Sequence, residues 1–405
     1  MAPSDEAAAR AFDLLKLEAG FLDDPFPTYH RLRRYDPVHR CPDGSYFLTR
    51  YQDVVAVYRD HQRMSSDKKV EFKPKFGDSP LYEHHTTSLV FRDPPDHTRI
   101  RRLFAAAFTP RALAALEPRV VHVVEELLDR ADDRGRMDLV ADYAFALPVE
   151  LIGDMLGVPR PERPRLRGWS TAILSALEPV TTPERLAAGS RAVEEFKSFL
   201  RELVAKRRRP SDDDAEVLSA LIAAEEAGDK LTELELLHQC IFLLNAGHET
   251  TTNLIGNGVA ALLDHPEELV RLRSQPELIE TAIEEFLRYQ SPNQLGNRRA
   301  IADVSIGGVQ LPAGTLVTLC IGAANRDPEE FPDPDRLDIA RNPNRHVAFA
   351  TGIHACAGMW LARMEGRVAI WRLLARFPRI RRDGPFVRGG RARFRGFASY
   401  PVALR

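Results

Sequence analysis

The chain has 405 residues, of which 44% are hydrophobic and 28% are charged, so it can bury a large core in one or two domains. This composition excludes disorder as the main state of the chain. The formal net charge of −2 excludes a global attraction to nucleic acid or to an anionic membrane, so a charged partner must be met by a local patch.

The N-terminal residues carry no apolar core of the signal-peptide kind, and no run of about eighteen or more uncharged apolar residues occurs. The four cysteines, at positions 41, 240, 320 and 356, form neither a C-x-x-C pair nor a disulfide framework. We therefore expect a soluble protein without a membrane anchor in the reducing cytoplasm, where a cysteine stays available as a thiolate ligand.

The first hundred residues mix turns, short strands and helices. Turn signals such as Asp36-Pro37 precede a predicted hairpin around Ser45–Thr49, and Tyr51–Tyr58 has helical periodicity. The stretch that follows, which includes the lysines at 68, 69, 73 and 75 and the pair His84-His85, shows no regular pattern. It is interpreted as a loop that is either a functional lid or a solvated surface segment.

A helix is predicted to begin at the Pro-Pro-Asp96 punctuation. His97 and Arg101 lie four residues apart in it and therefore share a face. Taken alone, such a pair is most often a surface feature. Between Pro118 and about Ala205, broken amphipathic patterns predict several helices that serve mainly as scaffold.

Thr232 and Glu235 form a capping box that predicts the start of a helix, and no breaker follows until Asp264-His-Pro266. The helix would be roughly 50 Å long at about 1.5 Å per residue. Apolar residues lie nearly all round it, which is typical of a helix at the centre of a large protein. Its middle, Asn245–Asn253, is nevertheless polar, and burying such groups without partners is unfavourable, so we expect function there.

Two motifs in this helix are misleading. His248-Glu249 begins a zinc-protease H-E-x-x-H motif, but position 252 is Thr and the second ligand is missing. Gly256–Ala261 matches G-x-G-x-x-A but follows no strand, which argues against dinucleotide binding. The hydroxyl of Thr250 can bond back to the carbonyl four residues earlier and bend the helix, where Ala246 and Gly247 leave room for a diatomic molecule.

Cys356 is the candidate metal ligand. It stands in the stretch Phe349-Ala-Thr-Gly352-Ile-His354-Ala-Cys356-Ala-Gly358, whose glycines let a flat ligand come close. A helix is predicted from Met359 onward, and its amide dipoles favour a thiolate over a thiol at the preceding cysteine.

Five motifs occur in an order that resembles the cytochrome P450 family of haem-thiolate monooxygenases, of the soluble bacterial type: His97-x-x-x-Arg101, Ala246-Gly247-x-Glu249-Thr250, Glu285-x-x-Arg288, Asp333-Pro-Asp-Arg336 and the cysteine loop. The resemblance implies a mainly α fold with small β-sheet regions (α+β), with haem b between the long helix and the cysteine loop. It implies one domain over residues 1–405. About 1–60 and 293–320 would contribute most of the β region, and 93–292 and 321–380 the helical haem-binding core.

The resemblance also implies roles for single residues. Cys356 would be the axial ligand of the haem iron, and Glu249 and Thr250 would deliver protons. The haem propionates would be bound by His97, Arg101, Arg298 and His354. Glu285, Arg288 and Arg336 would form a buried structural triad. Apart from the resemblance, Asn245 lies one turn before Glu249 and shares its face. We therefore predict that Asn245, Ala246, Asn293 and Gln294 line the substrate pocket, and that the amides among them offer hydrogen-bond donors to an oxygenated substrate.

The implied reaction inserts one atom of O2 into a small organic substrate by hydroxylation, epoxidation or demethylation. Electrons would come from a separate ferredoxin and its NAD(P)H reductase, attracted by a basic patch of Arg101, Arg102, Arg363 and Arg367, and the protein would be a monomer. Two alternatives remain, a peroxide-driven peroxygenase and a haem-binding protein without catalysis. The pair Glu249-Thr250 argues against both.

Overall fold

The structure, a computed structural model, describes residues 4–18, 20–105, 108–208, 216–226 and 231–405. Its helices are α1 Asp5–Arg10, α2 Phe26–Tyr35, α3 Tyr51–Arg59, α4 Lys69–Phe76, α5 Pro80–Thr87, α6 Asp96–Ala105, α7 Pro110–Arg134, α8 Ala146–Met155, α9 Arg163–Ser175, α10 Pro183–Arg207, α11 Glu216–Glu226, α12 Glu233–Asp264, α13 Pro266–Ser274, α14 Ile279–Tyr289, α15 Ile321–Ala324 and α16 Met359–Arg376.

The strands are short. They are β1 Val38–Arg40, β2 Tyr46–Leu48, β3 Met64–Ser65, β4 Arg136–Asp138, β5 Leu295–Ala300, β6 Val304–Ile306, β7 Val309–Leu311, β8 Leu316–Cys320, β9 Arg381–Arg382, β10 Val387–Arg388, β11 Phe397–Ser399 and β12 Pro401–Ala403. Helices therefore make most of the fold, as predicted.

Helix α12 is the central element, and its predicted start is confirmed. The Thr232 hydroxyl accepts a hydrogen bond from the Glu235 amide at 3.1 Å, and the Glu235 carboxylate accepts one from the Thr232 amide at 3.0 Å. The helix packs against α8, α9, α14 and α16. Because other helices surround it, its apolar side chains are buried on nearly every side.

The largest sheet joins two distant parts of the chain. Its strand order is β1-β2-β8-β5-β3, in which β1 and β2 form the predicted hairpin and β2 pairs with β8 in parallel. The antiparallel pairing of β5 with β8 places Arg298 opposite Val317. A second sheet, of order β4-β12-β9, uses C-terminal strands that the sequence did not predict.

The prediction of an irregular loop after α3 is wrong. This stretch folds into α4 and α5, and α5 begins with Ser79 as N-cap and Pro80 at its first position. Each helix has only eight residues, too few for a helical period to stand out in the sequence. His84 and His85 are both buried by this folding, with 2% exposure each.

Within the described residues, no helix combines the length and the apolar character that a membrane crossing needs.

Candidate active site

The cysteine loop is fixed by its backbone. The Cys356 amide donates to the Phe349 carbonyl at 2.9 Å, which closes the loop ahead of α16. Gly352 has φ +75°, and a Cβ there would stand 2.5 Å from the Tyr58 carbonyl oxygen, so a side chain is excluded. The loop therefore holds the half-buried Cys356 at the start of α16.

The charge state of the sulfur depends on competing effects. Burial raises the pKa of the Cys356 thiol, while the Gly358 amide and the charges of Arg101 and Arg363 lower it without reversing the shift. The helix start thus acts on the sulfur in the predicted direction, although burial outweighs it. The described parts of the chain contain no cluster of three or more His, Cys, Asp or Glu residues that can hold a metal ion.

Two histidines meet beside the loop. The ring centroids of His97 and His354 are 4.1 Å apart, and the Nε2 atom of each is buried with no hydrogen-bond partner. Burial, together with the charges of Arg298, His97 and Arg101, lowers the pKa of His354 to about 2, and burial and the charge of Arg101 also lower the pKa of His97. Both rings are therefore neutral in a region of positive potential.

The two arginines predicted with them also lie here. Arg298 is only 7% exposed, and its guanidinium donates to the Asn297 carbonyl at 2.8 Å and stacks over Tyr58. Within the described ranges, neither Arg298 nor Arg101 lies within ion-pair distance of a carboxylate. A buried guanidinium without an anion is unfavourable. The four groups thus fit a ligand with two carboxylates, as haem has.

The open face of α12 lies at the predicted polar segment. Ala246 is exposed, and Gly247, Glu249 and Thr250 are partly exposed, although most of the helix is buried. The Thr250 hydroxyl donates to the Ala246 carbonyl at 2.8 Å, which is the back-bond considered from the sequence. A Cβ at Gly247 would approach Ile152 to 2.9 Å, so the small residue keeps α12 against α8.

Glu249 has a partner that the sequence did not reveal. Nη2 of Arg391 donates to Oε1 of the Glu249 carboxylate. Arg391 lies in the loop between β10 and β11, and burial lowers the pKa of its guanidinium while the charge of Glu178 raises it. The only sequence signal was the density of arginines at positions 388, 391, 393 and 395, which gives no indication of their contacts.

The side chains predicted to line the pocket make different contacts. Asn245 is 5% exposed, and its Nδ2 lies 3.4 Å from Nε2 of His84. Asn293 is half-buried, and its side chain accepts from the Leu295 amide at 3.4 Å. Gln294 is buried, and its amide donates to the Ser291 carbonyl at 2.6 Å and lies against Gly322.

The chain is similar in sequence to known proteins over most of its length. Residues 176–380 match the family model described as Cytochrome P450. The chain is 41% identical over 383 residues to Cytochrome P450 107B1 of Saccharopolyspora erythraea, covering 91% of each chain. It is 42% identical over 364 residues to the Vitamin D(3) 25-hydroxylase of Pseudonocardia autotrophica, covering 89% of this chain and 88% of that one.

The chain belongs to the cytochrome P450 family. A solved structure of P450BioI, in complex with an acyl carrier protein ligated to hexadec-9Z-enoic acid, superimposes with a TM-score of 0.89 at 36% identity. It covers 96% of this chain and 100% of that one. The protein is a P450 monooxygenase, an oxidoreductase whose cofactor is haem b.

The buried triad of this P450 differs from the prediction in one member. Arg288 donates to both carboxylate oxygens of Glu285 at 2.8 Å, as predicted. The third guanidinium is that of Arg341, whose Nε lies 3.2 Å from Glu285 Oε2. Arg336 is exposed and contributes only its carbonyl, which accepts from Arg288 at 3.2 Å. The guanidinium that reaches Glu285 thus lies five residues beyond Arg336 in the sequence.

The predicted basic patch is partly neutralised. Arg363 donates to the two carboxylate oxygens of Glu284 at 2.6 and 2.8 Å, and Arg367 donates to Glu117 at 2.7 Å. Burial raises the pKa of Glu284, but the hydrogen bonds from Arg363 and His346 outweigh it and hold the pKa at about 2. This ion pair therefore persists over the whole physiological range.

Proposed function

We propose that this P450 inserts one atom of O2 into a small organic substrate that carries polar groups, with Cys356 as the axial ligand of the haem iron. The observation that carries the proposal is the arrangement of the cysteine loop, the open face of α12 and the four groups without an anion. When bound, haem b activates O2 and transfers one oxygen atom to the substrate.

The chain's own groups would hold the cofactor from its edge. Arg101 and Arg298 would bind the propionates as charged donors, and His97 and His354 would donate from their Nε2 atoms. Because both Nε2 atoms are buried without partners, two new hydrogen bonds would replace two unsatisfied groups. These bonds would fix the haem relative to Cys356.

Proton delivery would follow α12. Glu249 would take a proton on Oε2, the carboxylate oxygen that does not accept from Arg391, and pass it to the Thr250 hydroxyl. The Thr250 hydroxyl is held by the Ala246 carbonyl, which keeps its oxygen on the open face of the helix. The Ala246 methyl group leaves space there for the substrate, and Asn245 and Asn293 would add polar contacts.

A ferredoxin-type protein would deliver electrons at the start of α16, close to Cys356, and a separate NAD(P)H reductase would supply it. Trp360 is 62% exposed on this helix, with the Arg363 guanidinium 4.8 Å from its ring centroid. An exposed aromatic side chain beside charged groups is a common anchor in protein interfaces. The enzyme would work in the cytoplasm as a monomer.

The test supplies the purified holoprotein either with NAD(P)H, ferredoxin and reductase or with hydrogen peroxide alone. A panel of small organic compounds is first scored for the substrate-induced shift of the Soret band, and the binders are analysed for oxygenated product. We expect product with the electron-transfer proteins and much less with peroxide. Product with peroxide alone, at an equal or higher rate, would assign the protein to the peroxygenases instead.

A further inference from the structure

A chain of hydrogen bonds leads from the surface to Asn245. Glu83 Oε1 lies 2.9 Å from His238 Nε2, His238 Nδ1 lies 3.2 Å from His84 Nδ1, and His84 Nε2 lies 3.4 Å from Asn245 Nδ2. Glu83 and His84 belong to α5, and His238 and Asn245 to α12, two turns apart. We call these four residues the Glu83–Asn245 chain.

Glu83, at the outer end of the Glu83–Asn245 chain, is a hydrogen-bond acceptor. Lys197 of α10 donates to Glu83 Oε1 at 2.7 Å. Burial raises the pKa of the Glu83 carboxyl, but the hydrogen bonds from Lys197 and His238 outweigh it and lower the pKa below its ordinary value. Glu83 is therefore ionised, and a carboxylate only accepts, so His238 must carry its proton on Nε2.

Both histidines are neutral, so each ring has one N–H and one acceptor. Burial lowers the pKa of His238 to about 4, and it lowers that of His84 well below its ordinary value, with a contribution from His85. His238 uses its proton toward Glu83, so its Nδ1 accepts from Nδ1–H of His84. Nε2 of His84 is then an acceptor, and the amide nitrogen of Asn245 donates to it.

This order of donors fixes the amide of Asn245. Rotation by half a turn would place its carbonyl oxygen against the acceptor atom of His84, two lone pairs facing each other. Oδ1 of Asn245 is therefore held on the side away from His84, where it is buried without a partner. A buried carbonyl oxygen without a donor is unfavourable, and Asn245 directly precedes the exposed Ala246.

We propose that Oδ1 of Asn245 binds a hydroxyl group of the substrate, and that Glu83, His238 and His84 are positioning residues that fix the amide for it. The inference rests on the proposed function, since it assigns a ligand to the same pocket. A hydroxyl group satisfies both remaining groups of the Asn245 amide, because it donates to Oδ1 and can accept from the second N–H. An ether or a ketone only accepts and leaves Oδ1 unsatisfied.

The test compares matched ligands on the resting ferric holoprotein. The probes are long-chain primary alcohols and polycyclic secondary alcohols, each beside its methyl ether, with Kd from the Soret shift and from calorimetry. In the wild type the alcohols should bind about three- to tenfold more tightly than their ethers, the range of one hydrogen bond. Asn245→Leu should abolish the preference.

The positioning residues are tested in the same way. His84→Leu should remove the preference although Asn245 is intact, because the amide is then free to turn. His84→Gln should restore it, since its amide accepts from Asn245 and donates to His238. The neighbouring His85→Leu, outside the Glu83–Asn245 chain, should keep the preference.

Ethers that bind as tightly as alcohols in the wild type, no binding of any alcohol, or a preference that survives in Asn245→Leu would each overturn the inference. These readouts need no turnover. A failure of the monooxygenase assay therefore remains distinguishable from a failure of hydroxyl recognition.

Discussion

Nη2 of Arg391 donates a hydrogen bond to Oε1 of Glu249, and this contact joins residues 142 positions apart. The two side chains are only 14% and 12% exposed, so their ion pair is shielded from bulk water. In this P450 the loop between β10 and β11 therefore holds the Glu249 side chain, on the open face of α12, in one orientation.

The first prediction concerns this ion pair. Arg391→Gln should lower turnover by about ten- to a hundredfold and raise the solvent isotope effect, because Glu249 loses the group that orients it for proton transfer. Arg391→Lys, which keeps the charge, should retain more activity. Arg388→Gln, in the adjoining strand, is the control, since Arg388 stacks on Phe397 and does not contact Glu249. Equal rates in Arg391→Gln and wild type would contradict a role for this contact in proton delivery.

Two threonines of α12 form a natural pair for mutation. Thr250 and Thr252 both donate to the carbonyl four residues earlier, at 2.8 and 2.9 Å, but Thr252 is buried and Thr250 lies on the open face. Thr250→Ala should keep NADPH or NADH consumption through the partner proteins while product is lost to peroxide. Thr252→Ala should keep the yield of product per electron. The same yield in both variants would remove Thr250 from the proposed mechanism.

Arg341 and Arg336 distinguish the observed triad from the predicted one. Arg341→Leu removes a nearly buried partner of Glu285 while Arg288 still pairs with it, so we expect a loss of about 1.5 to 3 kcal/mol in the free energy of unfolding. Arg336→Leu should change it by less than about 0.5 kcal/mol, because only its backbone carbonyl takes part. Chemical denaturation followed by circular dichroism measures both. The reverse order of effects would restore Arg336 to the triad.

The lowered pKa of His238 should make the stability of the protein depend on pH. Its pKa is about 4 in the folded protein against an ordinary value of 6.5, so the unfolded chain binds more protons between these values. Its contribution to stability is full above pH 6.5 and is lost as the pH falls toward 4, by on the order of 3 kcal/mol. The thermal midpoint of His238→Gln should therefore fall less steeply over this window than that of the wild type. The exposed His122→Gln should follow the wild type.

Some of these features were predictable because their causes are local in sequence. The start of α12 follows from Thr232 and Glu235, three residues apart, and the tight cysteine loop follows from Gly352 and its neighbours. The helical periodicity of α3 is an equally local signal. Within the candidate site, the residues around Cys356 and on the open face of α12 were identified for this reason.

Contacts between distant residues were not predictable in this way. Nothing near Glu249 in sequence points to Arg391, and nothing near Glu285 distinguishes Arg341 from Arg336. Asn245 was expected to offer donors, whereas one of its N–H groups is committed to His84, on a helix that the sequence pattern did not indicate. Such pairings depend on how α5, α12 and the C-terminal loop pack together. The local pattern of residues in the sequence carries no information on that packing.

Carbon monoxide binding to the reduced protein tests the central claim most directly, namely that the sulfur of Cys356 ligates the haem iron. The ferrous carbonyl complex of the folded, haem-loaded wild type should show the strongly red-shifted Soret band of thiolate ligation, and Cys356→Ser should lose it while retaining the fold. A wild-type carbonyl spectrum of the imidazole-ligated type, or a red-shifted band that survives in Cys356→Ser, would contradict the account.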